Sequence, residues 1–166
     1  MSVPTTYTSV NETGCCPVPN VDDWDRRTIE LHQRFIRMHT RSLFHVPLNM
    51  GRVMRSLDEA ATRAGARMPV EQAMVLSRDL SPWRAEQLYA VSSEVDGVDN
   101  VVLDGTFASC VFEGPYSKAP TWQAGLVDYA RSIGRDVAEV YFFYTTCPKC
   151  AKHYGKNYAI ALGRLV

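Results

Sequence analysis

Apolar and polar positions recur along this chain with two different periods. From Arg52 to Ala64, the residues Val53, Met54, Leu57, Ala60, Ala61 and Ala64 form the stripe of an amphipathic helix that ends at Gly65. Trp122, Leu126, Tyr129, Ala130 and Ile133 make a second stripe, which stops at Gly134. Around the two helices lie runs rich in Val, Phe, Tyr and Thr, which suit a pleated, half-buried surface. They predict strands over Ser42–Leu48, Ala73–Ser77, Arg84–Val95, Val101–Glu113, Glu139–Thr146 and Tyr158–Val166, with Pro47 marking an edge or a strand end. Asp79-Leu80-Ser81-Pro82, Gly114-Pro115-Tyr116-Ser117 and Gly155-Lys156-Asn157 are turn signals. Thr28–His39 suits either a ribbon or one helical turn, and extended structure is the preferred reading.

The order strand, helix, strand, strand therefore appears twice, at an offset of roughly 65 to 70 residues, as expected of a duplicated supersecondary unit. Neither copy covers its own hydrophobic face. The expected fold is α+β: two such units joined into one curved antiparallel sheet, with both helices on one face and an open cleft on the other. Repeat one would span 42–97 and repeat two 101–166, together one domain over 42–166. Residues 15–41 read as an extension packed on that domain, with Trp24 its one apolar anchor in the irregular Cys15–Asp25 stretch. Residues 1–14 are polar and without period, and read as a flexible tail.

A chain of 166 residues, 46% of them hydrophobic, supports one ordinary core. Eighteen basic and eighteen acidic residues cancel, so no whole-protein field recruits nucleic acid or an anionic membrane. The first residues contain no apolar signal region, and no run approaches the roughly 18 apolar residues of a membrane span. The expectation is a cytoplasmic protein without a direct nucleic-acid or membrane partner.

Five cysteines, Cys15, Cys16, Cys110, Cys147 and Cys150, are an odd number at irregular spacing, which favours free thiols or a metal over a disulfide framework. Cys147-Pro148-Lys149-Cys150 reads as a tight knuckle, flanked by Lys149, Lys152 and Lys156. Only sixteen residues follow Cys150, too few for a thioredoxin fold. A redox sensor, a packed pair of structural thiols and half of a metal site remain as readings. In the metal reading Cys15, Cys16, Cys147 and Cys150 come together and bind one ion, zinc being the best match for four thiolates, with His153 able to replace one of the adjacent pair.

Of the strand carboxylates Glu86, Glu94, Glu113 and Glu139, the candidates for catalysis are Glu113, which precedes the Gly-Pro turn, and Glu139, which shares a strand face with Tyr141 and Phe143. Trp83, Tyr89, Phe107, Tyr116, Tyr141, Phe143 and Tyr144 are the candidate aromatic walls for a flat hydrophobic ligand or a cation. Core packing is the competing reading for each, and is preferred for Trp122. His45 and His153 read as hydrogen-bonded structural residues. No Ser-His-Asp or H-E-x-x-H spacing is present.

The stretch G-T-F-A-S-C-V-F-E-G-P-Y, followed by the helix that contains Trp122, resembles the gyrase-inhibitor-like (SOUL/GyrI-like) small-molecule-binding family. F-H-V-P-L-N-M-G at Phe44–Gly51, S-P-W-R-A-E at Ser81–Glu86, V-F-E-G-P-Y at Val111–Tyr116 and the C-P-K-C segment are similar to a bacterial subgroup labelled as hydrolases. The resemblance implies a cleft that holds a hydrophobic small molecule. Some relatives hydrolyse reactive compounds with an acidic residue near the last strands. The closing strand Y-A-I-A-L-G-R-L-V has no carboxylate, so that acid is not carried over. The expected function is a small-molecule-binding protein that leans towards a hydrolase. The competing class is a ligand sensor or a gyrase-type partner module, and no helix-turn-helix precedes the repeat.

Overall fold

The computed structural model describes residues 3–166 and shows an α+β fold with three helices and antiparallel strand pairing. By contacts the chain divides into two compact units. One comprises His32–Pro69 and Ala73–Asp104; the other comprises the chain up to Leu31, Val70–Gln72 and Gly105–Val166. The division falls inside two long strands, β1 (Arg27–Leu43) and β5 (Asp99–Glu113).

The first unit contains most of β1, then β2 (Val46–Pro47), α1 (Met50–Arg63), β3 (Val75–Ser81) and β4 (Arg84–Ala90). β1 pairs antiparallel with β4 from Phe35↔Ala90 to Arg41↔Arg84, and β4 pairs with β3. One face of these strands is covered by α1, whose Val53, Leu57, Ala60 and Ala61 pack with Ile36 and Val91. The predicted strand over Ser42–Leu48 divides in two. β1 ends at Leu43, Phe44 and His45 turn the chain, and β2 returns with Leu43 opposite Val46. Both turn residues have positive φ, 48° and 69°, as a two-residue hairpin of this hand demands. Asn-Gly is the usual choice there. A bulky side chain in the left-handed region costs about 1–2 kcal/mol.

The first strand of the repeat is thus β1, a position the sequence reading gave to Ser42–Leu48. Within Thr28–His39, Ile29 and Leu31 alternate with exposed Glu30 and His32, but Phe35 and Ile36 are both fully buried, so the strand is covered on both faces there and the alternation is lost.

The second unit contains the end of β5, then α2 (Ala119–Ser132), β6 (Val137–Tyr144), α3 (Pro148–Tyr154) and β7 (Tyr158–Leu165). β7 pairs antiparallel with β5 on one side and with β6 on the other. In both units, therefore, the first long strand pairs with the last and the last with the middle one. α2 packs Trp122, Leu126 and Ala130 against Ala108, Cys110, Phe142, Ala159 and Ala161. Their alternates Phe107, Ser109, Tyr141, Phe143, Ile160 and Leu162 face away from α2 and are buried.

What covers them includes the N-terminal arm. Tyr7 bridges Pro19, Thr8 N donates to Val18 O, and Asn20 N donates to Thr6 O, folding residues 6–20 into a ribbon. Tyr7 packs edge-on against Phe143 with centroids 5.9 Å apart and donates its hydroxyl to Thr145 O at 2.6 Å. Trp24 is 1% exposed, and its carbonyl accepts from the Ser109 hydroxyl. The arm includes residues the sequence reading assigned to a tail. Its order comes from backbone hydrogen bonds and two aromatic anchors, which leave no hydrophobic period to read.

Candidate metal centre

After Tyr144 the chain leaves β6 and enters α3 at Pro148, a residue suited to the first helical position because its missing N–H has no helical partner there. The helix ends at Gly155, whose φ of 73° forms the left-handed cap. The expected knuckle is thus the first turn of a helix of seven residues, too short to show a hydrophobic period. It presents Cys147 and Cys150 with their sulfurs 3.3 Å apart.

Facing them is the turn Thr13-Gly14-Cys15-Cys16 of the arm. Gly14 adopts φ 73°, and the Thr13 hydroxyl accepts from both Cys15 N and Cys16 N at 3.3 Å. This geometry overcomes the tendency of adjacent side chains to diverge: the sulfurs of Cys15 and Cys16 are 3.7 Å apart. Tyr154 of α3 donates to Cys16 O at 2.8 Å and accepts from Glu12 N, joining helix and turn without using a thiol. The four sulfurs of Cys15, Cys16, Cys147 and Cys150 all lie within 4.8 Å of one another. A tetrahedral ion with metal–sulfur bonds of about 2.3 Å needs sulfurs about 3.8 Å apart, so the cluster has the size of such a site. His153 does not belong to the cluster; its Nε2 lies 3.8 Å from Glu12 Oε2.

The thiols are electrostatically unequal. The hydrogen bond with the Thr13 hydroxyl, joined by those from Cys147 and Cys16, holds Cys150 down to about 7, whereas burial pushes Cys16 far above the usual thiol range. Burial, and then the neighbouring thiolates, likewise push up the phenols of Tyr7 and Tyr116. The Thr146 hydroxyl, next to Cys147, is buried without a hydrogen-bond partner. Cys110 is separate: it packs under α2, where burial raises it to about 11.

The other predicted site residues fall in several places. Glu139 lies on β6, where its carboxylate accepts from the Tyr141 hydroxyl at 3.1 Å and from Arg164 Nε at 3.4 Å. The Arg164 guanidinium lies 5.1 Å from the centroid of Phe107. Glu113 is exposed, opposite Tyr158, and lines a shallow cavity of about 250 Å³ with Asp22, Asp25 and Phe112. Phe107 and Phe143 are core side chains, and Tyr141 is buried up to its hydroxyl. Tyr144 turns towards α2, stacked near Phe142, and meets Tyr116 at 4.5 Å. In the first unit Tyr89 lies on the α1 face and donates to Asp58 at 2.8 Å. Trp83 stands exposed against Phe44. The predicted aromatic wall is therefore distributed over both faces of its strands.

Arg164, not singled out in the sequence, and Glu86, weighed there among the strand carboxylates but not chosen, matter here. Arg164 is the register partner of Phe107, and Glu86 is buried between Arg37 and Arg78. Both pairings depend on strand register, which residue spacing alone does not reveal.

The family model described as bacterial hydrolase matches residues 6–165. Comparison with curated proteins found no match. Among solved structures, the chain is similar to the EcmrR C-terminal domain, with a TM-score of 0.66 at 11% identity over 86% of this chain and 98% of that one. It is also similar to an uncharacterized conserved protein from Listeria innocua, with a TM-score of 0.63 at 12% identity over 86% and 92% of the two chains. A hydrolase from the same organism gives a TM-score of 0.61 at 12% identity over the same shares. The likeness to these structures is one of fold.

Proposed function

The chain belongs to the bacterial hydrolase family, and from that premise we propose that it binds a small, largely hydrophobic molecule and hydrolyses it with Glu139, while zinc on the four cysteines fastens the N-terminal arm. The observation that supports the hydrolytic part is the contact of one half-exposed carboxylate with both a phenol and a guanidinium. Tyr141 and Arg164 hold Glu139 in one orientation, which leaves the carboxylate able to take a proton from a water that attacks the substrate. Phe107, beneath Arg164, gives the site an apolar floor. The test is hydrolysis of a panel of hydrophobic esters and lactones, with dye-binding fluorescence as a separate readout. Glu139→Gln should abolish turnover and leave binding within about twofold. Turnover unchanged in that variant removes Glu139 from the mechanism.

For the metal, the supporting observation is the sulfur spacing. Four cysteines close the coordination shell, so the ion would be structural, with no position left for substrate. Lys149 and Lys152, exposed on α3, offset part of the charge that four thiolates carry. Elemental analysis of protein purified without chelator should find about one zinc per chain. A content far below that, together with an unchanged melting temperature in Cys147→Ser, would leave the cluster as free thiols.

A further inference from the structure

At one end of the first unit the β1–β2 hairpin and the β3–β4 turn form an apolar surface that belongs to neither core. Leu43, Phe44, Val46, Leu48, Leu80 and Trp83 are all exposed, Phe44 at 71% and Trp83 at 53%. The Phe44 and Trp83 rings lie 5.0 Å apart. Ser42 N donates to Trp83 O and His45 N to Pro82 O, so the two turns are bonded into a single tip. The backbone at its apex is strained to hold an aromatic side chain in solvent: Phe44 and His45 occupy the left-handed region where Asn-Gly would be relaxed and soluble. Strain that displays an apolar side chain points to a contact.

The rim of the tip is basic. Arg41 and Arg84 are exposed register partners beside the hairpin, and Arg52 and Arg55 are exposed on the first turns of α1, which follow it directly. Asp79 is the opposing acid, and His45 Nδ1 lies 2.8 Å from it. Backbone pairing is not what the tip offers, since edge strand β2 has two residues and one is Pro47. No helix among the described residues is long and apolar enough to cross a membrane, so a contact with lipid would be peripheral.

We propose that this tip docks on an anionic lipid bilayer. Phe44, Leu43, Val46 and Leu48 enter the boundary between headgroups and acyl chains, Trp83 sits at headgroup level, and the four arginines meet lipid phosphates. The charge pattern selects this occupant. A second copy of the chain would set arginine against arginine. A nucleic acid would satisfy the arginines and stack on the two rings but would leave four aliphatic side chains uncovered.

The protein carries its own reporter. Of its three tryptophans, Trp24 and Trp122 are buried and Trp83 is exposed, so a change of polarity at the tip is read through Trp83. Vesicles of phosphatidylcholine containing phosphatidylglycerol should shift the emission to the blue, and brominated acyl chains should quench it. Binding should weaken as salt is raised. Phe44→Asn keeps a residue that tolerates the left-handed turn, so the melting temperature should hold or rise while vesicle affinity falls by about tenfold. Arg41→Gln with Arg84→Gln should remove the preference for phosphatidylglycerol over pure phosphatidylcholine. Three results would each overturn the proposal: emission unchanged by anionic vesicles, self-association that Phe44→Asn abolishes, or a response of Trp83 to single-stranded DNA that exceeds its response to lipid.

Discussion

The two units share one topology and treat their carboxylates in opposite ways. In the first, Glu86 faces away from α1 with a side chain 4% exposed, held by Arg78 at 2.8 Å and Arg37 at 3.4 Å, while Asp99 takes the far side of Arg37 at 2.6 Å. In the second, Glu139 faces away from α2 with a side chain 36% exposed, one guanidinium and one phenol beside it. Two guanidiniums engage both oxygens of the first carboxylate, and burial keeps substrate from reaching it. The second is reachable by water. Each unit thus has a carboxylate on the strand surface that faces away from its helix, Glu86 on β4 and Glu139 on β6, and under the proposed function only the accessible one does chemistry.

The sharpest way to break this contrast is activity. Glu139→Gln should lower the hydrolytic rate by about 10²–10⁴-fold, the usual contribution of a general base. Glu86→Gln should leave kcat within a few-fold at a temperature where the variant is folded. Steady-state kinetics of both on one substrate decides the matter, and equal losses would place chemistry in the first unit as well.

Stability should show the reverse order. Removing the charge of Glu86 takes away the buried carboxylate that Arg78 and Arg37 share, with Asp99 still beside Arg37, which costs about 2 kcal/mol once the one-third exposure of both arginines is allowed for. Glu139→Gln breaks a partly solvated pair and should cost less than about 1 kcal/mol. Urea denaturation of the two variants makes the comparison, and a loss at Glu139 as large as that at Glu86 contradicts it.

A smaller effect tests the phenol. Tyr141→Phe removes the hydrogen bond to Glu139 and keeps the buried ring, so stability should fall by about 1 kcal/mol. If the phenol positions the carboxylate, the pH profile of kcat should shift with it. A purely structural tyrosine would leave that profile in place.

How far such contrasts were legible beforehand follows from the same pairings. α1 and α2 show in the sequence because each buries one stripe, β5 and β6 because they are rich in β-branched and aromatic residues, and β4 and β7 because turn signals precede them. β1 shows in part: extended structure is the preferred reading of Thr28–His39, but Phe35 and Ile36 face opposite sides and both are covered, so the pattern does not by itself separate ribbon from helix. The arm around Tyr7 and Trp24 is fixed by main-chain hydrogen bonds that any polar sequence can make. Glu139 with Tyr141 follows from the period of a strand. Arg164 beside Glu139, and Arg37 and Arg78 around Glu86, require the register of neighbouring strands. That the four cysteines come together is one reading of the residue types and the structure bears it out; the turn at Gly14 and the helix at Pro148 that achieve it are not legible.

The smallest expected effect concerns pH and again separates the units. His39 follows Arg37 on the same face of β1 and lies opposite Glu86 on β4. Burial lowers its pKa below the usual 6.5, and the charges of Arg84 and Arg37 lower it further, against the opposing pull of Glu86 and Asp99. A base depressed in the folded state is neutral there at pH values where it already takes a proton in the unfolded chain. Folding is then favoured above about pH 6.5, and that contribution is lost as the pH falls through the folded value. His39→Gln should therefore flatten the stability curve below pH 6.5 and leave it unchanged at pH 8. In the second unit the shifted groups are thiols, phenols and a lysine, and only Cys150, held down to about 7, comes near this window. Denaturation midpoints from pH 5 to 8 in the wild type and in His39→Gln make the measurement. If the acid-side slope survives the substitution, the sealed network around Glu86 is not what couples the first unit to pH.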